Sequence, residues 1–374
     1  MRHEFRTALC DLLGIEYPIL QSGMGTVAGP DLVAEVSGAG GLGILAGLGL
    51  TPEELRRRIR LVRELTDRPF GVNLWLHPAL RPPADPASLP ESAVRAVQTV
   101  LNRFRQRLEL PTTLDRPRGI ADVIEAAFEV ILDERVPVWS IGLGDPGREM
   151  VRRCRERGTR VVAMVATVED ARAVTASGVD AIVAQGGEAG GHRSTWVKGE
   201  SAETALIGTL ALVPQVVDAV DVPVIAAGGI ADGRGLVAAL ALGATGVLMG
   251  TRFVATRESV AAEMWKKAIV ERGSEATTIT DAVSGLYARY MRNAYSEGYR
   301  ASGAPVLPAL VQTSAAQDVF AEAGRRQDPD YFPMPSGQSV GLIRDLPGAA
   351  EVVEAMIAEA CAVMAGLPRR VRVT

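Results

Sequence analysis

The fold is decided by residues 222–252, which read VPVIAAGGIADGRGLVAALALGATGVLMGTR. The apolar run Val222–Ala227 is typical of a buried strand. Two glycines follow it, and Asp232 then offers an N-cap for a helix that ends at Gly243. A second apolar run, Gly246–Gly250, again ends in glycine. The stretch therefore predicts a strand, a helix and a second, parallel strand, with a glycine loop after each strand.

The same pattern of a short strand followed by a helix recurs along the chain. Six more apolar runs precede the stretch, at Tyr17–Gln21, Leu42–Leu45, Phe70–Leu74, Val138–Ile141, Val161–Val165 and Ala181–Gln185. Near-continuous apolar runs are expected for parallel strands that are covered on both faces. Eight such strands favour a (β/α)8 TIM barrel, an α/β fold, over an open doubly wound sheet. The glycine loops follow the last two strands, where barrels place their phosphate sites.

Two segments exceed a minimal barrel. A proline-rich insertion at residues 77–116 follows the third strand and contains a helical pattern near Ser92–Leu108. An extended, mainly helical region follows the eighth strand. We therefore divide the chain into a barrel core at residues 1–251 and a C-terminal region at residues 252–374, which completes the barrel and covers its active site.

The C-terminal region has its own predicted elements. Helical patterns lie near Ser259–Glu271 and Ala349–Ala365, and the stretch Arg325–Gly337 is typical of a loop or a lid. Ser336-Gly337-Gln338 suits a return of the chain to the barrel mouth. Four tyrosines form a cluster in a segment that reads as helical, at Tyr287, Tyr290, Tyr295 and Tyr299.

Composition excludes several classes of protein. The 374 residues carry 40 basic and 44 acidic side chains, a net charge of −4, which leaves no basic surplus for nucleic acid. No apolar run reaches the roughly 18 residues that span a bilayer, and the first residues do not resemble a signal peptide. Only three histidines and three widely spaced cysteines are present, so we expect no metal site and a reducing, cytoplasmic setting.

The two glycine loops predict an anion site. Gly228 and Gly229 follow the seventh strand, and Met249-Gly250-Thr251 follows the eighth. Exposed backbone N–H groups beside a helix start attract phosphate, although helix capping and a tight turn would also account for these glycines. A third loop, Ser22-Gly23-Met24 after the first strand, has the same backbone freedom.

His192 is the leading candidate for a catalytic residue. It lies in the stretch QGGEAGGHR, residues 185–193, directly after the sixth strand. A histidine in a flexible, glycine-lined loop is able to reach a ligand and to transfer a proton, whereas a plain surface histidine is the alternative. Asn73 and Gln185 are polar residues at the ends of apolar strands, where they either contact a ring-shaped ligand or close the barrel mouth as buried amides.

These motifs together resemble the nitronate monooxygenase family, also called 2-nitropropane dioxygenase-like, of FMN-dependent barrels. The resemblance spans nearly the whole chain, from YPILQSGM at residues 17–24 to SGQSVGLIRDLPGA at residues 336–349. It implies FMN as cofactor and His192 as the catalytic residue. The cofactor-binding residues that it implies, together with the loops above, are Ser22, Gly23, Met24, Asn73, Gln185, Gly190, Gly191, Gly228, Gly229, Met249, Gly250 and Thr251.

The resemblance implies oxidation of a small alkyl nitronate by O2. Some positions depart from the family's pattern: Leu248 stands where monooxygenases often have glutamine, and Ser194 where glycine is common. The stretch GTRFVATRES, residues 250–259, resembles NAD(P)H-using quinone reductases. The alternative is therefore a NAD(P)H-dependent flavin reductase acting on a quinone or on an enoyl-thioester of CoA or acyl carrier protein. A flavin-binding barrel without activity is a third reading, which His192 disfavours. A homodimer is also expected.

Overall fold

The computed structural model describes residues 4–25, 27–196 and 206–370, and its centre is a parallel barrel. Elements are numbered in chain order over these residues. The barrel strands are β1 Ile19–Gln21, β2 Gly43–Ala46, β3 Phe70–Trp75, β4 Val138–Gly142, β5 Arg160–Val165, β6 Ala181–Gln185, β8 Val224–Ala227 and β9 Gly246–Met249. Around the barrel they lie in the order β1, β9, β8, β6, β5, β4, β3, β2. All eight predicted strands are thus confirmed.

The barrel closes between β1 and β2, which rules out the open sheet. Leu20 forms a parallel bridge with Leu42, and the Gln21 N–H donates to the Leu42 carbonyl over 2.9 Å. The buried Gln21 side chain adds to this seam, because its Oε1 accepts from the Ile44 N–H at 3.0 Å. A side-chain amide therefore completes the hydrogen bonding where the two short strands diverge.

Fifteen α-helices are present in the described residues. Their bounds are α1 Ala8–Leu13, α2 Pro30–Gly38, α3 Pro52–Leu65, α4 Glu91–Arg107, α5 Ile124–Asp133, α6 Gly147–Arg157, α7 Val168–Ser177, α8 Thr209–Val217, α9 Gly233–Ala241, α10 Thr251–Val254, α11 Glu263–Glu271, α12 Ala294–Ser302, α13 Val311–Ala315, α14 Gln317–Arg326 and α15 Ala349–Arg370. Asp232 caps α9 as predicted, since its side chain accepts from the Gly235 N–H at 3.1 Å. No helix in these ranges has the length and apolarity needed to cross a membrane.

Two layers of apolar side chains hold the barrel together. Leu20, Val183, Ile225 and Leu248 belong to an interior cluster that also includes Leu9 of α1. Their neighbours along each strand belong to the outer layer between sheet and helices, as alternation along a strand requires. The strand ends beyond the interior cluster are thereby fixed in place and can carry a site.

The C-terminal region differs from the prediction in its middle part. Tyr290 lies in a strand, because β10 (Thr277–Thr280) and β11 (Ala288–Met291) pair antiparallel, and Tyr287 directly precedes it. The helical interpretation is therefore wrong for these two tyrosines. A two-residue strand, β7 (Gly191–His192), completes this small sheet beside β11. All four residues of β11 are buried, so the strand shows no alternation, and tyrosines that recur every three to five residues are easily mistaken for a helix face.

The insertion packs on the C-terminal region. Phe104 of α4 contacts Tyr295 of α12, with ring centroids 5.0 Å apart. Arg105 is buried, and its guanidinium donates to both carboxylate oxygens of Asp318 at 2.7 and 3.1 Å. The insertion thus shares an apolar cluster with α12 and α14. The proposed boundary near residue 251 remains a prediction.

Gly233 fixes the position of α15 against α9. A Cβ at residue 233 would lie 2.4 Å from the Ala360 nitrogen and 2.6 Å from the Met356 carbonyl oxygen. The Gly233 N–H donates to the Glu359 carboxylate at 2.8 Å, so α15 also caps α9. The absence of a side chain is what allows this close approach of two helices.

We expect Gly233→Ala to lower the free energy of unfolding by about 1–3 kcal/mol, because backbone atoms must move to accommodate the methyl group. Urea denaturation measures the change. Gly366→Ala in α15 is the control: nothing lies within 4 Å of its Cβ position, and alanine favours a helix. Equal stabilities of the two variants would contradict the close packing at residue 233.

Candidate active site

One cavity opens at the carboxyl ends of the barrel strands. It encloses about 1160 Å³ of space, a volume that includes the open solvent at its mouth. Every predicted site residue lines it: Ser22, Gly23, Met24, Asn73, Gln185, Gly190, Gly191, His192, Gly228, Gly229, Met249, Gly250 and Thr251. The roles assigned to these residues remain predictions, but their convergence on a single cavity is a feature of the structure.

The loops after β8 and β9 present backbone donors to this cavity. Gly228 and Gly229 have φ of +102° and +72°, values that favour glycine. The N–H groups of Gly228, Gly229, Gly250 and Thr251 donate to no acceptor in the described part of the chain. Four free donors beside glycines suit an anionic ligand such as a phosphate group.

The segment Ser336–Gln338 returns to the barrel mouth, as its sequence predicts. The Gly337 N–H donates to Thr251 Oγ1 at 2.9 Å, and the Gln338 N–H donates to the Glu188 carbonyl at 2.9 Å. A Cβ on Gly190 would lie 2.5 Å from the Gly337 nitrogen. The segment therefore joins the loop after β6 to the loop after β9 and closes one side of the cavity.

Charged side chains hold the loop after β6 from outside the cavity. The Glu188 carboxylate accepts from the Thr209 N–H at 2.9 Å and so caps α8. Arg289 of β11 is buried, and its Nη2 donates to the Gly187 carbonyl at 2.8 Å. These contacts fix a loop whose glycines alone would leave it mobile.

The two polar side chains at strand ends differ in whether a hydrogen-bonding group of the amide remains free for a ligand. Asn73 donates through Nδ2 to the Ser140 carbonyl and hydroxyl at 3.2 and 3.1 Å, while its Oδ1 accepts from no described residue. Gln185 is occupied at both ends, because Nε2 donates to the His192 carbonyl and Oε1 accepts from the Ser194 N–H. Asn73 is thus available to a ligand, whereas Gln185 mainly shapes the loop.

His192 is not on a flexible loop. It belongs to β7 and pairs with Ala288 of β11. Its Nε2 lies 2.7 Å from Ser284 Oγ, and its ring meets Trp75 edge-on, with centroids 4.5 Å apart and an interplanar angle of 62°. The expectation of a mobile histidine is therefore wrong. A strand pair, a hydroxyl and an indole hold the imidazole at the cavity wall.

The surroundings of His192 keep it neutral. Burial lowers the pKa of His192 to about 4, and the nearby His77 lowers it further in the same direction. Burial also lowers the pKa of His77. At pH 7 the His192 imidazole therefore carries no charge, and one of its two ring nitrogens is unprotonated and able to accept a proton.

The structure adds residues that the sequence reading missed. Ser284, the partner of His192, lies 92 positions away along the chain, and no local pattern marks it. Trp75, Met164, Trp265 and Ser339 also line the cavity. Of these, Trp75 alone carried a signal, because it lies two positions after Asn73 and so shares its face of β3.

Ser194, which departs from the family's pattern, ties three strand ends together. Its hydroxyl donates to the Met164 carbonyl at 2.7 Å and accepts from the Leu143 N–H at 3.0 Å, while its N–H donates to Gln185. The residue is 1% exposed. The serine hydroxyl therefore satisfies two buried backbone groups.

We expect Ser194→Ala to lower the free energy of unfolding by about 1–3 kcal/mol, the usual cost of leaving buried polar groups unpaired. Ser314→Ala, which removes a hydrogen bond to the Arg118 carbonyl at the surface, should cost less than about 1 kcal/mol. Chemical denaturation of both variants checks the difference. A loss at Ser194 no larger than that at Ser314 would refute this role.

These features define a barrel enzyme with its site at the strand ends. The family model described as nitronate monooxygenase matches residues 6–359, and the chain belongs to that family. It is an oxidoreductase. A protein of Staphylococcus saprophyticus named as a probable nitronate monooxygenase is 34% identical over 361 residues, covering 96% of this chain and 98% of that protein.

Solved structures agree with this membership. A nitroalkane oxidase from Streptomyces ansochromogenes superposes with a TM-score of 0.85 at 35% identity, covering 96% of this chain and all (100%) of the other. FabK from Thermotoga maritima has a TM-score of 0.76 at 33% identity, covering 98% of this chain and 99% of the other.

Within the described ranges, no group of histidine, cysteine, aspartate or glutamate side chains is arranged to hold a metal ion.

Proposed function

We propose that the protein is an FMN-dependent nitronate monooxygenase that oxidises small alkyl nitronates with O2. One observation carries the proposal: two glycine loops with free N–H groups and a neutral, firmly held histidine converge on a single cavity. Membership of the family and the likeness to a nitroalkane oxidase support the same activity.

The residues present fit FMN. The free N–H groups of Gly228, Gly229, Gly250 and Thr251 would hold its single phosphate, since charge-assisted hydrogen bonds from such donors are strong. Gly23 packs against Asn73: a Cβ there would lie 2.4 Å from the Asn73 Cβ, so this wall of the cavity has no room for a side chain. Bound FMN supplies the acceptance of electrons and their transfer to O2.

His192 then acts as a base rather than as a cation. A neutral imidazole accepts the proton from the carbon next to the nitro group of a neutral nitroalkane. A preformed nitronate has already lost that proton and needs only to be bound and oriented. The strand pairing and the contacts with Ser284 and Trp75 hold the imidazole in one orientation before the reaction. No conformational entropy of the side chain is therefore lost at the moment of proton transfer.

The alternative function is NAD(P)H-dependent reduction of a quinone or an enoyl-thioester, which residues 250–259 suggested. Both arginines of that stretch are engaged elsewhere. The buried Arg252 binds Asp345 at 2.8 Å, and Arg257 pairs with Glu351. Neither guanidinium lines the cavity, so these two arginines anchor the C-terminal region and carry little support for nicotinamide binding.

Anaerobic mixing distinguishes the two functions. We expect propyl-2-nitronate to bleach the bound flavin within seconds, and NADH and NADPH to leave it oxidised over the same period. Admission of O2 should restore the absorbance. Rapid bleaching by a nicotinamide, with none by the nitronate, would replace the proposed function by the reductase.

A further inference from the structure

Trp75 stands beside His192 at the cavity wall. It ends β3 two residues after Asn73, so both side chains lie on the same face of the strand, and both line the cavity. The indole is held on two sides. Its Cδ1 lies 3.1 Å from the position that a Cβ on Gly142 would take, and its ring meets the His192 ring. The side chain therefore has little freedom to turn away.

The four tryptophans differ in what their N–H groups do. The N–H groups of Trp139 and Trp196 are sealed from solvent and have no acceptor. Trp265 also lines the cavity, but its N–H donates to Ser336 Oγ at 3.0 Å. The Trp75 N–H donates to no residue of the described chain and is not sealed. It is thus a free donor at the cavity.

An anionic substrate needs such a donor, because the cavity offers it no cation. Among the described residues, none of the side chains that line the cavity is a lysine or an arginine, and none is acidic. His192 is neutral at pH 7. A nitronate carries its negative charge on two oxygens bound to one nitrogen, and in a site of low polarity these oxygens must be received by neutral N–H or O–H groups.

We propose that the indole N–H of Trp75 donates a hydrogen bond to an oxygen of the bound substrate and thereby selects for a planar oxyanion. The inference rests on the proposed function, because it names the group that receives the nitronate. Trp75 binds the oxygen end of the substrate, while the adjacent His192 faces the carbon next to nitrogen, which bears a proton in the nitroalkane and has lost it in the nitronate. The contact between the two rings fixes the position of one side chain relative to the other.

Isobutyrate tests this donor without turnover. It has the carbon skeleton of propyl-2-nitronate and a planar carboxylate in place of the nitronate group. Titration of the FMN-saturated protein, followed by the change in flavin absorbance, gives its Kd. Trp75→Phe keeps an aromatic ring beside His192 but removes the N–H. We expect it to weaken isobutyrate binding about 10-fold or more, as for loss of a hydrogen bond to a charged group.

Trp139→Phe is the matched control, since it removes an indole N–H that has no acceptor and belongs to a residue that does not line the cavity. Its Kd for isobutyrate should stay close to that of the parent. Three results would each overturn the inference: a loss of isobutyrate affinity well below about 10-fold in Trp75→Phe, an equal loss in both variants, or no saturable binding of isobutyrate by the parent. If the parent fails to oxidise propyl-2-nitronate but binds isobutyrate through Trp75, the proposed function falls and the donor assignment stands.

Discussion

Gly229→Asp is expected to abolish retention of FMN through purification. Gly229 has φ +72° and a free N–H at the cavity, and a Cβ there would lie 3.5 Å from the Glu188 Cβ. The variant therefore adds a second carboxylate beside Glu188 and close to the donors proposed for the phosphate. Unit charges roughly 5 Å apart repel by about 3 kcal/mol at an effective dielectric constant of ~20. We expect the affinity for FMN to fall at least about 100-fold.

Gly229→Asn separates charge from shape. Asparagine and aspartate have nearly the same size, and both tolerate positive φ better than most residues. Titration of the apoproteins with FMN, followed by flavin fluorescence, should give a loss of less than about 10-fold for the asparagine variant. Equal losses of FMN affinity in the two variants would show that the effect comes from the backbone and not from the added charge. Unchanged FMN affinity of Gly229→Asp would show that this loop does not bind the phosphate.

The barrel was predictable because its determinants are local. Seven of the eight barrel strands are followed within two residues by a glycine or a helix cap, and the predicted cap at Asp232 is present. The ends of each observed strand lie within two residues of the predicted ends. The two least accurate boundaries, at Tyr17 and Val222, each fall directly before a proline, Pro18 or Pro223, which has no N–H to donate to a neighbouring strand.

The candidate site was predictable only as far as it lies on those strand ends. Its loops converge because all parallel strands of a barrel end at the same face. The contacts of His192 were not predictable, because Ser284 reaches the imidazole from a hairpin that only the tertiary structure brings beside β7. Glycines around a histidine suggest mobility in the sequence, whereas here they allow the close approach of Gly337 and of Thr209 that holds the loop still.

His192→Asn should remove proton abstraction while leaving the protein folded and yellow. Asparagine donates and accepts hydrogen bonds but does not take up a proton near neutral pH. We expect turnover of a neutral nitroalkane to fall about 100- to 10,000-fold, the usual contribution of a general base. Turnover of the corresponding nitronate should fall much less, since no proton is removed and other donors still receive its oxygens. Steady-state kinetics with both substrates measures the two losses.

The pH dependence gives His192 a second, independent signature. Its pKa is about 4 in the folded protein, below the usual histidine value near 6.5, so between these pH values the unfolded chain binds more protons. The free energy of unfolding of the parent should therefore fall as the pH drops from about 6.5 to about 4, by up to about 3 kcal/mol from this residue. His192→Asn lacks that contribution, so its free energy of unfolding should fall by correspondingly less.

Over the same pH range the His192 imidazole of the parent should stay unprotonated, and the parent should keep its activity on nitroalkanes. Equal activity of parent and variant on both substrates would exclude His192 as the base, and parallel pH–stability curves would exclude its neutral state in the folded protein.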